Sequence, residues 1–342
     1  SELTFFYTNA MQTSPYRGFG RPEATYIIER LIDKAARETG HDALTLRQKN
    51  LVTPDQMPYQ TGLTFHYDCG DFPRIVEAAA TQADYAGFEQ RRKQSEAKGL
   101  LRGIGISNPI EVAGGPFKQI RKDVARVTAS TDGKITIAPG LMSVGQGHET
   151  TVIRLASDLL GVPADMIVYA QGDTDLLPTG RGNGGSAATV VGVSAVKIAL
   201  DDFIADGGGI AAAALGCGAG DLAYGDGAFL APDGQKMTWA DIAHHSNKAG
   251  GYSVLAEFTP NDVTYPNGCH ICEVEIDPKT GKVAFCDYVV VEDVGVVLSP
   301  DLVEGQMHGG VAQGIGQALG ETLLFDTQGQ LLTGSFLDYQ MP

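Results

Sequence analysis

Apolar residues recur along this chain in two rhythms, and the change of rhythm divides it. After Pro22, Ala24, Ile27, Ile28, Leu31 and Ala35 fall at helical spacing, which predicts an amphipathic helix ending before Gly40 with that stripe turned to the core. Asp33 and Arg37 form an i, i+4 pair on its other face. A short helix over residues 43–50, a proline-bearing loop and a long charged helix from 72 to about 98 follow, the last ending in the solvated run EQRRKQSEAKG. Past Gly99 the period becomes two. LLRGIGISNPIEV, VARVTAS and KITIAPG read as strands, the last two joined by a hairpin turn at Thr131-Asp132-Gly133, and another strand is predicted around 167–170. A strand is also expected at the start, over residues 1–6.

The stretch 137–161, IAPGLMSVGQGHETTVIRLASDLLG, passes from a strand through a glycine turn into a helix that stops at Gly161. At such a junction unpaired N–H groups and the positive end of the helix dipole face outward, so an anion or a polar ring edge can bind. Gly145 and Gly147 leave room for a ligand beside the backbone, and Gln146 offers both a donor and an acceptor. The competing reading is an ordinary tight loop in which His148 and Thr150 only cap the helix. Two further turns have the same form. RGFG (residues 17–20) precedes the first helix, and GRGNGGS (180–186) precedes a helical pattern around 196–204. The latter holds a literal G-x-G-x-x-G, but Pro178 separates it from the preceding strand and Asp201 lies within the helix, so a dinucleotide-binding fold is rejected.

Residues 207–220, rich in Gly and Ala, read as a loop with one turn of helix. A final helix from 300 to about 324 carries Gly305, Gly309, Gly310, Gly314, Gly316 and Gly320. Each interior glycine costs about 0.8–1 kcal/mol relative to alanine, which predicts close packing against another backbone. Cys269-His270-Ile271-Cys272 resembles a metal or redox motif. However, the segment reads as two strands around a DPKTG turn, and residues three apart on a strand face opposite sides, so the two sulfurs cannot share one ion. Residues 239–245 read as a short helix, on which the adjacent His244 and His245 share no face.

Composition narrows the class. A formal charge of −16, from 41 acidic against 25 basic residues, excludes nucleic acid and anionic membrane as main partners. The 44 glycines in 342 residues are nearly twice the average usage of about 7% and point to many close backbone approaches. Five scattered cysteines are too few for a disulfide framework, and with no bilayer-length apolar run the expected compartment is the cytoplasm.

PYRGFGRPEATYIIERLID, GQGHETT, GDTD…GSAATVVGVSAV, YPNGCHICEVEIDPKTGKV and EGQMHGGVAQGIGQALGE, in this order, resemble the molybdenum-binding large subunit of the xanthine oxidase family. The similarity runs over essentially the whole chain and is nearest the bacterial branch containing aerobic carbon monoxide dehydrogenase. It implies an α+β fold of mixed sheets and packed helices: the last part of one molybdopterin-binding domain (1–98) and most of a second (99–342). It also implies that the three glycine turns converge on molybdopterin cytosine dinucleotide with its molybdenum. Gln146, Gly147, His148 and Thr150 would then touch the pterin or its pyrophosphate. Arg17, Gly18 and Phe19 would lie beside the metal and shape the substrate pocket, with Gly185 and Ser186 near the metal ligands.

The implied chemistry is hydroxylation of an electron-poor C–H carbon with oxygen from water. A glutamate base assists, and electrons leave through [2Fe-2S] centres to FAD on a small and a medium partner subunit, in a dimer of heterotrimers. Three departures qualify this. The family's GGxFG loop and its GxGE segment bearing the glutamate base are absent, and Glu321 belongs to the end of the glycine-rich helix. Gly18-Phe19 stands where carbon monoxide-oxidising enzymes have a cysteine-serine pair, so aldehydes or N-heterocycles are the expected substrates. The chain is thus expected to be a central piece of such a subunit, inactive alone. The alternatives are a non-catalytic assembly module or a carbon monoxide dehydrogenase-type oxidase.

Overall fold

The computed structural model describes residues 4, 6–7, 14–115, 122–246 and 251–342. The strand expected over residues 1–6 falls largely outside them. The elements in order are α1 (Arg21–Thr39), α2 (Ala43–Gln48), β1 (Tyr59–Gln60), β2 (His66–Tyr67), α3 (Phe72–Gln82), α4 (Phe88–Glu96), β3 (Leu101–Ser107), β4 (Asp123–Ala129) and β5 (Ile135–Pro139). Then follow α5 (His148–Leu160), β6 (Ile167–Tyr169), α6 (Ser194–Leu215), β7 (Ala223–Gly225), β8 (Ala228–Leu230), β9 (Lys236–Thr238), α7 (Trp239–His245), β10 (Tyr252–Phe258), β11 (Asn267–Ile276), β12 (Val283–Asp293) and α8 (Pro300–Leu319). The α+β class expected from the sequence is what these elements form.

Two layered units carry the core. In one, the sheet β10-β4-β5-β6 is covered by α5, α6 and α7. Val127, Ile135, Ile137, Val152, Leu160, Leu200 and Phe203 are fully enclosed there. The hairpin read at Thr131-Asp132-Gly133 joins β4 to β5 antiparallel, and β6 returns parallel to β5 after α5. In the other, α3 packs on the sheet β12-β11-β3, burying Val76, Ala79, Ile106, Cys269 and Ile271. As the strand argument required, Cys269 faces α3 and is buried, whereas Cys272 is only part-buried on the other side. Among the described residues no cluster of His, Cys, Asp or Glu could hold a metal ion, and no helix is long and apolar enough to cross a membrane.

Several expectations are corrected. The stripe of α1 faces outward: Ile27, Ile28 and Leu31 are 57%, 55% and 60% exposed. The helix docks instead by its polar side. Arg47, 4% exposed, places its guanidinium 2.7 Å from Glu29 and 2.9 Å from Asp33, so Asp33 pairs with Arg47 and not with Arg37. Glu29 also accepts the N–H of Asn108 at 2.6 Å, fixing α1 to the end of β3. A three-point polar dock has to be buried to be effective, and that decides which face turns inward.

The single helix expected over 72–98 is broken at Asp84, whose backbone is left-handed (φ 44). A 3-10 turn, Tyr85–Gly87, then redirects the chain so that Phe72 and Phe88 are both buried. Residues 207–215, read as loop, belong to α6, two of whose glycines lie under aromatic rings. A Cβ on Gly207 would come within 2.7 Å of Trp239, and one on Gly208 within 3.3 Å of Phe229. Finally, α8 ends at Leu319 and its glycines are not sealed against a second backbone: only Gly316 is buried. The Arg17 guanidinium lies over Gly309 and Gly310, while Gly305 and Gly314 face open space.

Candidate molybdopterin site

Three loops with left-handed backbone feed three helices. Gly18, Phe19 and Gly20 (φ 100, 45 and 87) lead into α1, and Gly145 and Gly147 (φ 110 and 78) into α5. Gly182, Gly184, Gly185 and Ser186 (φ 71, 147, 61 and 52) lead through a π-helical turn, Ala188–Val193, into α6. Backbone of this kind gathers N–H donors into concave surfaces that suit anions. The residues at the helix starts, Gly20, Gly147 and Ala187, provide no side-chain cap. By contrast α2, α3 and α7 are capped by Asp42, Asp71 and Thr238, while α4 and α8 also start without a side-chain cap. At α1 the Arg21 N–H is taken by Gly18 O at 3.0 Å and Pro22 has none, so it is at the second and third loops that the first-turn N–H groups are left to an outside acceptor. Open space adjoins Gly20, Gly145, Gly182 and Gly184, so a ligand can approach the backbone closely.

The loops are tied into one rim. Gly182 donates to Gly140 O at 2.9 Å, and Met142 donates back to Gly182 O at 3.3 Å, which joins the second loop to the third. Ser186 O accepts from Gly114 at 3.1 Å, and Glu111 of the same segment meets Arg21 of α1 at 3.7 Å, which brings in the first. α8 spans the remaining gap. Its Leu302 lies against Gly147, and Arg17 donates to the Gln306 carbonyl at 3.0 Å and to the Gln306 and Gln313 side chains at 3.1 and 3.3 Å.

Two supports escaped the sequence reading. Asp123, 1% exposed at the start of β4, accepts N–H bonds from Val124 at 2.9 Å and from Arg181 at 3.1 Å. Its carboxyl lies against Gly140 and Gly192, where any Cβ would crowd it, and burial pushes its pKa up. The second and third loops both lean on this one side chain. The only signal in the sequence was an acid opening the otherwise apolar-faced strand DVARVTA. The second support is Gln171. It accepts from Ser143 N–H at 2.7 Å and donates to Ser143 O at 3.1 Å, and it is itself held by the Tyr169 hydroxyl at 3.0 Å.

Of the residues singled out from sequence, Gln146 turns its carbonyl inward to the Val144 N–H at 2.6 Å. His148 is the first residue of α5 and 8% exposed, and desolvation lowers its pKa below the ordinary imidazole value, so the ring is neutral near pH 7. Thr150 is exposed on the same helix, as are Gly185 and Ser186 on their loop. Phe19 presents a ring that is 76% exposed. These features suit a polar ring and pyrophosphate, which need N–H donors and open backbone more than side-chain charge.

Two family profiles, both described as molybdopterin cofactor-binding domain, match residues 78–342 and 1–51. The chain belongs to the molybdopterin-binding large subunits of the xanthine oxidase family. It is 34% identical over 358 residues to the carbon monoxide dehydrogenase large chain of Hydrogenophaga pseudoflava, with 98% of this chain and 44% of that one covered. It is 33% identical to the nicotine 6-hydroxylase large subunit of Paenarthrobacter nicotinovorans, covering 98% of this chain and 43% of the relative. Its fold superposes on quinoline 2-oxidoreductase from Pseudomonas putida 86 with a TM-score of 0.86 at 31% identity, covering 96% of this chain and 44% of that structure. The chain therefore spans under half the length of these large subunits.

Proposed function

We propose that this chain forms the molybdopterin cradle of a molybdenum hydroxylase that oxidises an N-heterocycle or an aldehyde. The observation that carries the proposal is the set of three glycine-rich loops, each opening onto a helix start with no side-chain cap, linked into one rim by hydrogen bonds and by the Arg21–Glu111 ion pair. In this reading Gln146, Gly147, His148 and Thr150 hold the pterin or the pyrophosphate of molybdopterin cytosine dinucleotide. A neutral His148 offers one donor and one acceptor without placing a cation beside the positive helix end. Gly185 and Ser186 supply donors near the metal, and Arg17, Gly18 and Phe19 shape the substrate side. When bound there, the molybdenum cofactor supplies two-electron redox chemistry with oxygen drawn from water.

Two features favour flat substrates over carbon monoxide. Gly18-Phe19 replaces the cysteine-serine pair of the carbon monoxide enzymes, and the exposed Phe19 ring offers a stacking face. The names of the nicotine and quinoline relatives point the same way.

We further infer that the end of one cofactor-binding domain joins most of a second near residue 98, the two sharing the sheet β12-β11-β3 on which α3 packs. Electrons would pass to [2Fe-2S] and FAD subunits in a cytoplasmic dimer of heterotrimers. On this reading the isolated chain does not turn over aldehydes or purines with an artificial electron acceptor, and turnover above background would overturn that part. The site itself is tested in the assembled enzyme. Gln146→Ala is expected to lower molybdenum per protein, and unchanged molybdenum with an unchanged rate would remove Gln146 from the cradle.

A further inference from the structure

Beyond the cradle, the far end of α8 closes on the first loop through a carboxylate. Just past the helix, Glu321 has left-handed backbone (φ 41) and donates its N–H to Gln340 O at 2.8 Å. Its Oε2 accepts from two tyrosine hydroxyls that lie far apart in sequence, Tyr16 at 2.9 Å and Tyr339 at 3.1 Å. Two of the otherwise costly glycines of this stretch make room for the arrangement. A Cβ on Gly316 would collide with the Glu321 carboxylate and come within 2.9 Å of Pro342, and one on Gly320 would come within 2.7 Å of Gln340 O. Both hydroxyls titrate above their ordinary range, through desolvation first and the Glu321 bond second.

Tyr16 is the residue before Arg17, and its carbonyl accepts the N–H of Phe19 at 2.8 Å, closing the turn. The turn is therefore gripped by two neighbouring residues whose side chains run to different points of α8. Arg17 reaches Gln306 and Gln313 in mid-helix, and Tyr16, whose hydroxyl also bonds the Gln313 side chain, reaches Glu321 past the helix end. One attachment would leave the turn free to rotate about it, whereas two divergent ones fix its orientation. Phe19, largely exposed, depends on that orientation for where its ring points.

We infer that Glu321 is a positioning residue, clasping Tyr16 so that the Arg17–Phe19 turn presents Phe19 to the substrate. What the turn faces rests on the molybdopterin reading above; the clasp itself does not.

The test compares Tyr16→Phe, Glu321→Ala, Glu321→Gln and the double variant Tyr16→Phe/Glu321→Ala in the assembled enzyme. Amide hydrogen exchange at Phe19 should quicken about tenfold in Tyr16→Phe and in Glu321→Ala. The double variant should stay close to Glu321→Ala, well short of the sum of the two, because Tyr16 is held at this end through its bond to Glu321. Glu321→Gln, which keeps a carbonyl able to accept both hydroxyls, should stay within about threefold of wild type. With whichever of quinoline and hypoxanthine the wild type oxidises, Tyr16→Phe and Glu321→Ala should raise KM several-fold while kcat and molybdenum content hold. Additive effects, unchanged exchange at Phe19, or molybdenum loss in Glu321→Ala would each overturn the clasp. A wild-type assembly without molybdenum would overturn the cofactor reading alone, since the exchange measurement still reads the clasp.

Discussion

Gly147 is the residue at which the cradle and α8 meet most tightly, and that contact can be weighed. Its backbone lies at φ 78, ψ 26, and that of Gly40, the C-cap of α1, at φ 70, ψ 21. The two glycines thus share one conformation but differ in surroundings: a Cβ at Gly40 meets nothing within 4 Å, whereas at Gly147 it would lie 2.7 and 2.9 Å from the Leu302 methyls. Alanine in left-handed backbone costs about 1–2 kcal/mol, offset by about 0.4–1 kcal/mol from the stiffer unfolded chain. Gly40→Ala should therefore destabilise by about 0.5–1.5 kcal/mol. Gly147→Ala carries the same strain plus an overpacking term of about 1–3 kcal/mol for displacing Leu302. Its total should reach about 1.5–4.5 kcal/mol. Trp239, the one tryptophan of the chain, is buried in the unit that contains α5, so its fluorescence during urea unfolding follows Gly147, and far-ultraviolet circular dichroism recorded alongside follows the helices of both units, α1 with Gly40 included. In a double-mutant cycle Leu302→Ala should erase the excess at Gly147 while leaving Gly40→Ala unchanged. Equal losses at Gly147 and Gly40, or an excess that survives Leu302→Ala, would refute the contact between the second loop and α8.

Two further outcomes follow from buried charge. Glu273, 3% exposed, is held by Arg91 at 3.1 Å and by Arg102, so Glu273→Gln should cost about 2–4 kcal/mol in circular-dichroism unfolding. This is below the usual figure for a fully buried pair because both arginines are partly exposed; a loss under about 1 kcal/mol would mean that the pair is solvated. His148 has its folded pKa lowered below the unfolded value of 6.5, so between the two values the unfolded chain binds the proton and the folded chain does not. Its contribution is complete above pH 6.5 and declines as pH falls toward the folded pKa. Urea midpoints between about pH 5 and 8 should show that slope in the wild type and a shallower one in His148→Gln; identical slopes would assign the pH dependence elsewhere.

Local chemistry was written in the sequence. The strand–glycine–helix stretch 137–161, the hairpin at Asp132-Gly133, the short helix α7, and the opposed faces of Cys269 and Cys272 follow from period, turn residues and caps, which act within a few positions. The ordered motifs named the family, because the loops they encode must each leave backbone open in the same way. Tertiary structure decided whatever depended on a distant partner. The polar face of α1 turned inward because Arg47 binds Glu29 and Asp33 there, and α6 ran through its glycines, two of which Trp239 and Phe229 cover. Periodicity reports that a helix has two faces. Which face is buried depends on what the rest of the fold brings to it, and no window of neighbouring residues contains Asp123 beneath two loops or Glu321 beside Tyr16.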